Sequence, residues 1–346
     1  GHRDRGDCGA VAGARLSSAR GFGRGMSGGA DVPELARAVC AGERRALAKA
    51  ITLVESERTE DRESAAALLS ELRPHAGRAL RVGITGAPGV GKSTLIDALG
   101  LHVIERGMRV AVLAIDPSSV RSGGSLLGDR TRMGRLAASD NAFVRPSPSA
   151  GAQGGIGPRT REALIVVEAA GYDVVLVETV GVGQGELAVA DVTDVVAVLW
   201  MADAGDDVQG MKRGILEHAD LVVFTKADGP KADEARAARD RLAALFSLFR
   251  RDEPRVLALS AFAEGDPPLL WEALLERRDR LAASGELESR RRARQRSWFR
   301  RALEEALLAR VFGDTELDRE RQRLQSAVEA GELLPPEAAR ALIQRL

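Results

Sequence analysis

The chain is defined first by what it has little of. Cysteine occurs twice, at Cys8 and Cys40, among 346 residues; that excludes a disulfide framework and fits a reducing compartment, the cytoplasm. Aromatic residues make up 3% of the chain, too few for the stacking platforms that hold single-stranded nucleic acid. Net charge is missing as well: 50 basic side chains balance 50 acidic ones, whereas a nucleic-acid binder carries a basic excess. With four scattered histidines and two cysteines there is no Cys/His metal cluster. No apolar run reaches membrane-spanning length, because the most apolar stretch, Val192 to Met201, is interrupted by Asp194. Lysine is the last scarcity. Of the 50 basic side chains only five are lysine, namely Lys49, Lys92, Lys212, Lys226 and Lys231, and the other 45 are arginine. The two cations are not chemically interchangeable, so the positions of those lysines are informative.

What is present is a globular core. Hydrophobic residues are 45% of the chain, and the length suits one large domain with appendages. Residues 1–30 are rich in Gly and Arg without hydrophobic periodicity and read as a disordered tail. Gly1-His2 resembles a tag remnant and Met26 is a candidate start. A mitochondrial transit peptide is the alternative, and Asp4, Asp7 and the glycines count against it. Residues 31–78 read as a helical extension, with Asp31 as a cap, Pro33 in the first turn, and Leu35, Val39, Leu47, Ile51 and Val54 at helical spacing.

From 79 to 268 the pattern alternates. Apolar runs at Arg81–Thr85, Arg109–Asp116, Tyr172–Thr179, Val192–Met201, Leu221–Thr225 and Arg255–Ser260 are separated by stretches long enough for crossover helices. That predicts an α/β domain with a mostly parallel sheet covered on both faces. Residues 269–346 are again helical. Arg290, Arg291, Arg292, Arg294, Arg296, Arg300 and Arg301 crowd one segment beside Trp298 and Phe299, and read as a solvated helix face. A helical arm beyond a complete α/β domain is also a natural dimer or partner surface.

Gly86-Ala87-Pro88-Gly89-Val90-Gly91-Lys92-Ser93 matches the phosphate-loop pattern G-x-x-x-x-G-K-S/T, between an apolar strand and an amphipathic helix that starts near Thr94. Its glycines let backbone N–H groups and a helix N-terminus face an anion. Lys92 supplies a compact charge for β/γ-phosphates, and the Ser93 hydroxyl is a ligand for Mg²⁺.

Thr225-Lys226-Ala227-Asp228 follows a strand and resembles the guanine-reading Asn/Thr-Lys-x-Asp motif. An acid at Asp228 accepts hydrogen bonds from the guanine N1 and N2 donors, a pair adenine lacks, while the Lys226 stem lies over the base. Thr stands where Asn is more usual. Ser260-Ala261-Phe262, after the last strand, resembles the short motif that closes over guanine. Glu178-Thr179-Val180-Gly181 occupies the place of the D-x-x-G γ-phosphate sensor, with Glu for Asp; an acid there can hold Mg²⁺ or its waters. Gln184 is placed either to orient water or to serve as a structural glutamine of a switch loop.

These residues, together with Ala114–Ser119, Gly123–Met133, Glu178–Glu186 and Gly205–Glu217, resemble the MeaB-type GTPases, the G-protein chaperones of adenosylcobalamin-dependent acyl-CoA mutases, also known as the ArgK or methylmalonic aciduria type A family. The resemblance covers everything from about Asp31 onward. It implies a P-loop GTPase of the SIMIBI class that binds GTP, GDP and Mg²⁺ and forms a homodimer through its C-terminal arm. It further implies that Ser93, Asp116, Asp129 and Glu178 surround the Mg²⁺ and γ-phosphate. Gly205 to Lys212 looks like the additional switch that couples nucleotide state to the mutase; Lys212 is either an interaction that changes with that state or a solvated lysine at a helix start. Expected function is therefore slow intrinsic GTP hydrolysis that gates cofactor loading or protection of the mutase. The rivals are a nickel-type metallochaperone GTPase, a P-loop small-molecule kinase and a noncatalytic nucleotide-dependent scaffold. The partner expected is the mutase, with no nucleic acid and no membrane.

Overall fold

The computed structural model describes residues 31–56, 58, 60–116, 133–148, 159–179, 188–202, 213–249 and 254–345. The tail, Asp129, Gln184 and Lys212 lie outside the described residues, as does the side chain of Asp116. The described residues up to Arg280 form one compact unit and those from Leu281 a second.

The first unit is built on a parallel sheet. Its strands are β1 Leu80–Gly86, β2 Val110–Asp116, β3 Ala142–Pro148, β4 Val174–Thr179, β5 Val195–Trp200, β6 Leu221–Phe224 and β7 Arg255–Ala258, in the order β3-β2-β4-β1-β5-β6-β7. Every pairing is parallel, so all carboxyl ends lie on one edge. β1, β4 and β5 are buried almost throughout, which is why they read as unbroken runs of Val, Leu and Ile and not as alternating patterns. The expected α/β architecture is thus present, and the sheet is parallel at every pair.

β3 was not among the predicted strands. Its sequence Ala-Phe-Val-Arg-Pro-Ser-Pro ends in prolines, which argue against a central strand. The strand is an edge, paired to β2 alone. Pro146 and Pro148 are two residues apart, so their donor-less nitrogens fall on the same side of the strand, and an edge strand has one side with no ladder to complete.

Helices follow the strands as crossovers: α4 Lys92–Glu105 after β1, the short α5 Gly134–Ala137 before β3, α6 Thr160–Ala169 before β4, α7 Arg213–His218 before β6, α8 Ala232–Phe249 before β7, and α9 Asp266–Ala283 after it. Ahead of the sheet lie three helices, α1 Val32–Cys40, α2 Arg44–Glu55 and α3 Asp61–Leu72. Asp31 is the N-cap of α1, but its carboxylate makes no capping bond; its backbone carbonyl accepts from Leu35 N at 2.9 Å. Leu47, Ile51, Leu68 and Leu72 of the extension join Leu164 and Val167 of α6 in one buried cluster. Each is fully enclosed, so truncating one, as in Leu47→Ala, costs about 2–5 kcal/mol. Arg145 of β3 bonds Glu55 at 2.7 Å and the Ala48 carbonyl at 3.2 Å, fastening α2 to the edge strand.

The second unit contains α10 Glu286–Gly313, α11 Thr315–Glu329 and α12 Pro335–Ile343. Asp314 caps α11, its carboxylate accepting from Glu316 N at 2.9 Å and Leu317 N at 3.1 Å. Along α10, Arg292, Arg296, Arg300 and Arg301 are exposed, whereas Arg290, Arg291 and Arg294 of the same cluster are half-buried; Arg290 and Arg292 pair with Glu286 and Glu288 one turn earlier.

Candidate active site

The site lies where the carboxyl ends of β1, β4, β5 and β6 converge, the edge at which open parallel sheets take ligands. β1 is central, between β4 and β5, and delivers the chain into the phosphate loop at Gly86. That glycine has φ 147°, and a Cβ on it would stand 2.4 Å from the Leu199 carbonyl oxygen of β5; no other residue fits. Gly91, at φ 101°, turns the chain into α4, whose first residues are Lys92 and Ser93. The first-turn N–H groups of that helix and its dipole face the loop, which makes it a cradle for phosphate.

Lys92 is 7% exposed. Its ammonium donates to the carbonyls of Gly86 at 2.8 Å and Ala87 at 3.0 Å, so the cation is folded over the loop that it shares with the anion site. A buried ammonium is stabilised only by such oxygen partners. Ala87, Pro88, Gly89 and Thr94 are exposed, whereas Val90 is buried.

The Ser93 hydroxyl donates to Glu178 Oε1 at 2.9 Å. Glu178 is the penultimate residue of β4, level with Ile84 of β1 and Ala114 of β2, and is 8% exposed. A hydroxyl and a carboxylate meeting beside a phosphate loop are the hard oxygen donors that suit Mg²⁺. Among the described residues no group of three or more His, Cys, Asp or Glu could hold a metal ion. A cation bound here would keep phosphate oxygens and water among its ligands, as Mg²⁺ ordinarily does. Asp116 ends β2 at the same edge. The carboxyl ends of β1 and β4 are also tied directly, Thr179 Oγ1 donating to Thr85 Oγ1 at 2.8 Å.

On the other flank, Thr225 Oγ1 lies 2.6 Å from the Val90 carbonyl and 3.1 Å from that of Trp200. The residue after it, Lys226, has φ 57° and is the one non-glycine at positive φ among the described residues; such backbone strain gathers at functional sites. Its ammonium contacts Met201 Sδ at 3.4 Å. Ala227 N bonds the Leu259 carbonyl at 3.1 Å, which brings the 225–228 turn beside Ser260-Ala261-Phe262. That second loop is held by its own bonds, Ser260 N to Asp266 Oδ2 at 2.6 Å and Phe262 N to Ser260 Oγ at 3.1 Å. Asp228 and Phe262 are exposed, so the carboxylate and an aromatic ring are presented to solvent and open to a ligand.

Sequence reading did not locate three of these contacts: the Thr85–Thr179 bond, the close approach of Leu199 to Gly86, and the Thr225–Val90 bond. The signal for the last was in the sequence, in the threonine that replaces the usual asparagine.

The family model for "Methylmalonyl Co-A mutase-associated GTPase MeaB" matches residues 47–316. The chain belongs to the MeaB family. The protein named "Probable GTPase Rv1496" of Mycobacterium tuberculosis (H37Rv) is 50% identical to it over 317 residues, covering 90% of this chain and 94% of that protein. GTPase ArgK of Escherichia coli (K12) is 42% identical over 317 residues, covering 90% and 96%. The mitochondrial methylmalonic aciduria type A homolog of Mus musculus is 42% identical over 318 residues, covering 88% and 76%. The crystal structure of a LAO/AO transport system kinase superposes with a TM-score of 0.69 at 36% identity, over 92% of this chain and 99% of that one. This MeaB-family chain is accordingly a P-loop GTPase that binds GTP and GDP. No helix of the described residues is long and apolar enough to cross a membrane.

Proposed function

We propose that this GTPase is a cytoplasmic chaperone whose nucleotide cycle gates the loading and protection of an adenosylcobalamin-dependent acyl-CoA mutase of the methylmalonyl-CoA mutase type. The family's description carries the mutase in its name. The observation that supports the site reading is the Thr225–Val90 hydrogen bond at 2.6 Å, which locks a base-reading turn to a phosphate loop. A ligand long enough to touch both is a nucleotide, and the carboxylate at Asp228 suits guanine.

In that reading Gly86 to Thr94 wrap the phosphates, and Lys92 turns from the Gly86 and Ala87 carbonyls toward the β/γ-oxygens. Lys226 and Asp228 hold the base, with Ser260, Ala261 and Phe262 closing over it. Ser93 and Glu178, joined by Asp116 and Asp129, would hold Mg²⁺. The cation would supply charge neutralisation on the β- and γ-phosphates when bound. Gln184 orients the attacking water, and Lys212, in the Gly205–Lys212 segment, reports nucleotide state to the mutase. Lys92 and the helix N-terminus lower the barrier by stabilising charge that builds on the phosphate oxygens.

Domain roles follow the same division: a tail at 1–30, a helical extension at 31–78, the GTPase domain at 79–268 and a dimerisation arm at 269–346. Phe299, Leu303 and Leu307, spaced four residues apart on α10, are exposed by 70%, 47% and 45%. That stripe supports a homodimer formed through the arm.

GTP and ATP turnover measured with and without an adenosylcobalamin-dependent acyl-CoA mutase tests the function. GTP turnover should rise on adding the mutase while ATP is spared. Equal ATP hydrolysis, phosphorylation of a small molecule such as arginine, or indifference to every such mutase would overturn it.

A further inference from the structure

The carboxylate at the start of α9 serves a loop and not its own helix. Asp266 opens α9 and is followed by Pro267 and Pro268, which carry no N–H. The next donor, Leu269 N, is taken by the Gly265 carbonyl at 3.3 Å. The first turn therefore offers an acidic side chain none of the open amides that a helix start usually supplies. The carboxylate reaches back six residues instead, its Oδ2 accepting the N–H of Ser260 at 2.6 Å. That is a charge-assisted bond to a residue 1% exposed. Asp266 N donates to the Ala263 carbonyl at 3.0 Å, so side chain and backbone grip the same loop.

Within residues 260–263 the backbone donors are spent with one exception. Ser260 N–H goes to Asp266, Phe262 N–H to Ser260 Oγ at 3.1 Å, and Ala263 N–H to the Ser260 carbonyl at 3.4 Å. Among the described residues the N–H of Ala261 has no partner, although that residue is half-buried. A half-buried donor left open invites an acceptor. The loop stands beside the 225–228 turn, because Ala227 N bonds the Leu259 carbonyl immediately before it. With Asp228 taking the N1 and 2-amino donors of guanine, the next atom along that edge of the base is the 6-oxo oxygen. It is an acceptor that needs a donor, whereas adenine carries an amino donor at the same place.

We propose that Asp266 is a positioning residue that sets base specificity: by holding Ser260 it directs the open N–H of Ala261 at the 6-oxo oxygen of guanine. This assignment rests on the guanine-reading role of Asp228. Adenine would set its amino group against the same N–H, so the Asp266 carboxylate also sharpens the choice between GTP and ATP. The phosphate-side groups Lys92, Ser93 and Glu178 lie on the other flank of the site and do not depend on it.

The test uses the full-length chain and follows thermal melting alongside three diphosphate titrations. The ligands are GDP, inosine diphosphate, which lacks the 2-amino group, and the diphosphate of 2-aminopurine riboside, which lacks the 6-oxo group. Asp266→Ala should bind GDP about tenfold more weakly, with affinity for the 2-aminopurine diphosphate within about twofold of native. A merely structural role would weaken both ligands alike. Asp266→Asn keeps an oxygen acceptor and should recover GDP binding to within about threefold. Asp266→Glu keeps the charge but sets the carboxylate one carbon farther out. It should show the same base-dependent loss, which keeps the test alive if Asp266→Ala does not fold. The proposal is overturned by native GDP affinity in Asp266→Ala, by equal losses for GDP and the 2-aminopurine diphosphate, or by an Asp266→Asn chain as weak as Asp266→Ala. Inosine diphosphate separates the two levels. A native chain that binds it as tightly as GDP removes the base-reading role of Asp228, whereas a native preference for GDP beside unchanged GDP affinity in Asp266→Ala removes the Asp266 proposal alone.

Discussion

The hydroxyl of Thr225, at the end of β6, lies 2.6 Å from the carbonyl oxygen of Val90 in the phosphate loop, 135 residues earlier in the chain. Both groups are buried, so the bond is made out of competition with water. It joins the turn that carries Lys226 and Asp228 to the loop that carries Lys92. A nucleotide spanning the two loops meets a site whose halves are already in register, which lowers the ordering cost of binding.

Removing that hydroxyl with its shape preserved, in Thr225→Val, should weaken both GTP and GDP binding. A buried hydrogen bond lost with its acceptor left unsatisfied costs about 1–3 kcal/mol, or roughly 5- to 150-fold in affinity. Thr225→Ser should stay near native. Isothermal titration of GDP into the three proteins checks it, and equal affinities for Val and Ser would show that the tether is idle.

The Ser93–Glu178 contact at 2.9 Å predicts a metal-linked phenotype. Glu178→Gln keeps the shape but removes the charge that a hard cation prefers. GTP turnover should fall by about tenfold or more, and the Mg²⁺ concentration giving half-maximal turnover should rise. A Mg²⁺ titration of turnover identical to native would contradict the assignment.

His102 on α4 gives a pH prediction. Burial pushes its pKa below the ordinary 6.5, the Arg106 guanidinium adds to this, and Glu105 and Glu272 oppose it. Its Nε2 is buried without a hydrogen-bond partner, while Nδ1 faces Arg106 at 3.0 Å. The folded imidazole therefore stays neutral where the unfolded one takes up a proton, so the unfolded state binds more protons and stability falls as pH drops through 6.5. Melting temperature should decline between about pH 7.5 and about pH 5.5 with a slope that is shallower in His102→Leu. Parallel slopes in the two proteins would show that His102 contributes nothing.

The parts legible in the sequence were those made by local chemistry. Buried parallel strands such as Val174–Thr179 announce themselves as continuous apolar runs, because both faces are covered. The phosphate loop did so too, because Gly86 and Gly91 answer backbone demands that no other residue meets. Lys92 and Lys226 stood out against 45 arginines, and both sit at the ligand edge of the sheet. β3 was hidden because an edge strand tolerates Pro146 and Pro148, which a central strand excludes. The lateral bonds Thr85–Thr179 and Thr225–Val90 were hidden for another reason: they join residues 94 and 135 positions apart, and no periodicity or spacing rule reports a contact set by strand order. Asp31 shows the converse, a residue correctly placed at a helix start whose carboxylate makes no capping bond.

The most direct measurement is the nucleotide preference of Asp228→Asn. Exchanging the carboxylate for an amide replaces one acceptor by a donor, which suits the 2-oxo group of xanthine and not the 2-amino group of guanine. Turnover of GTP and XTP by the native and variant chains should show GTP preferred by the first and XTP by the second. An Asp228→Asn chain that still prefers GTP would contradict the assignment of the 225–228 turn as the guanine reader.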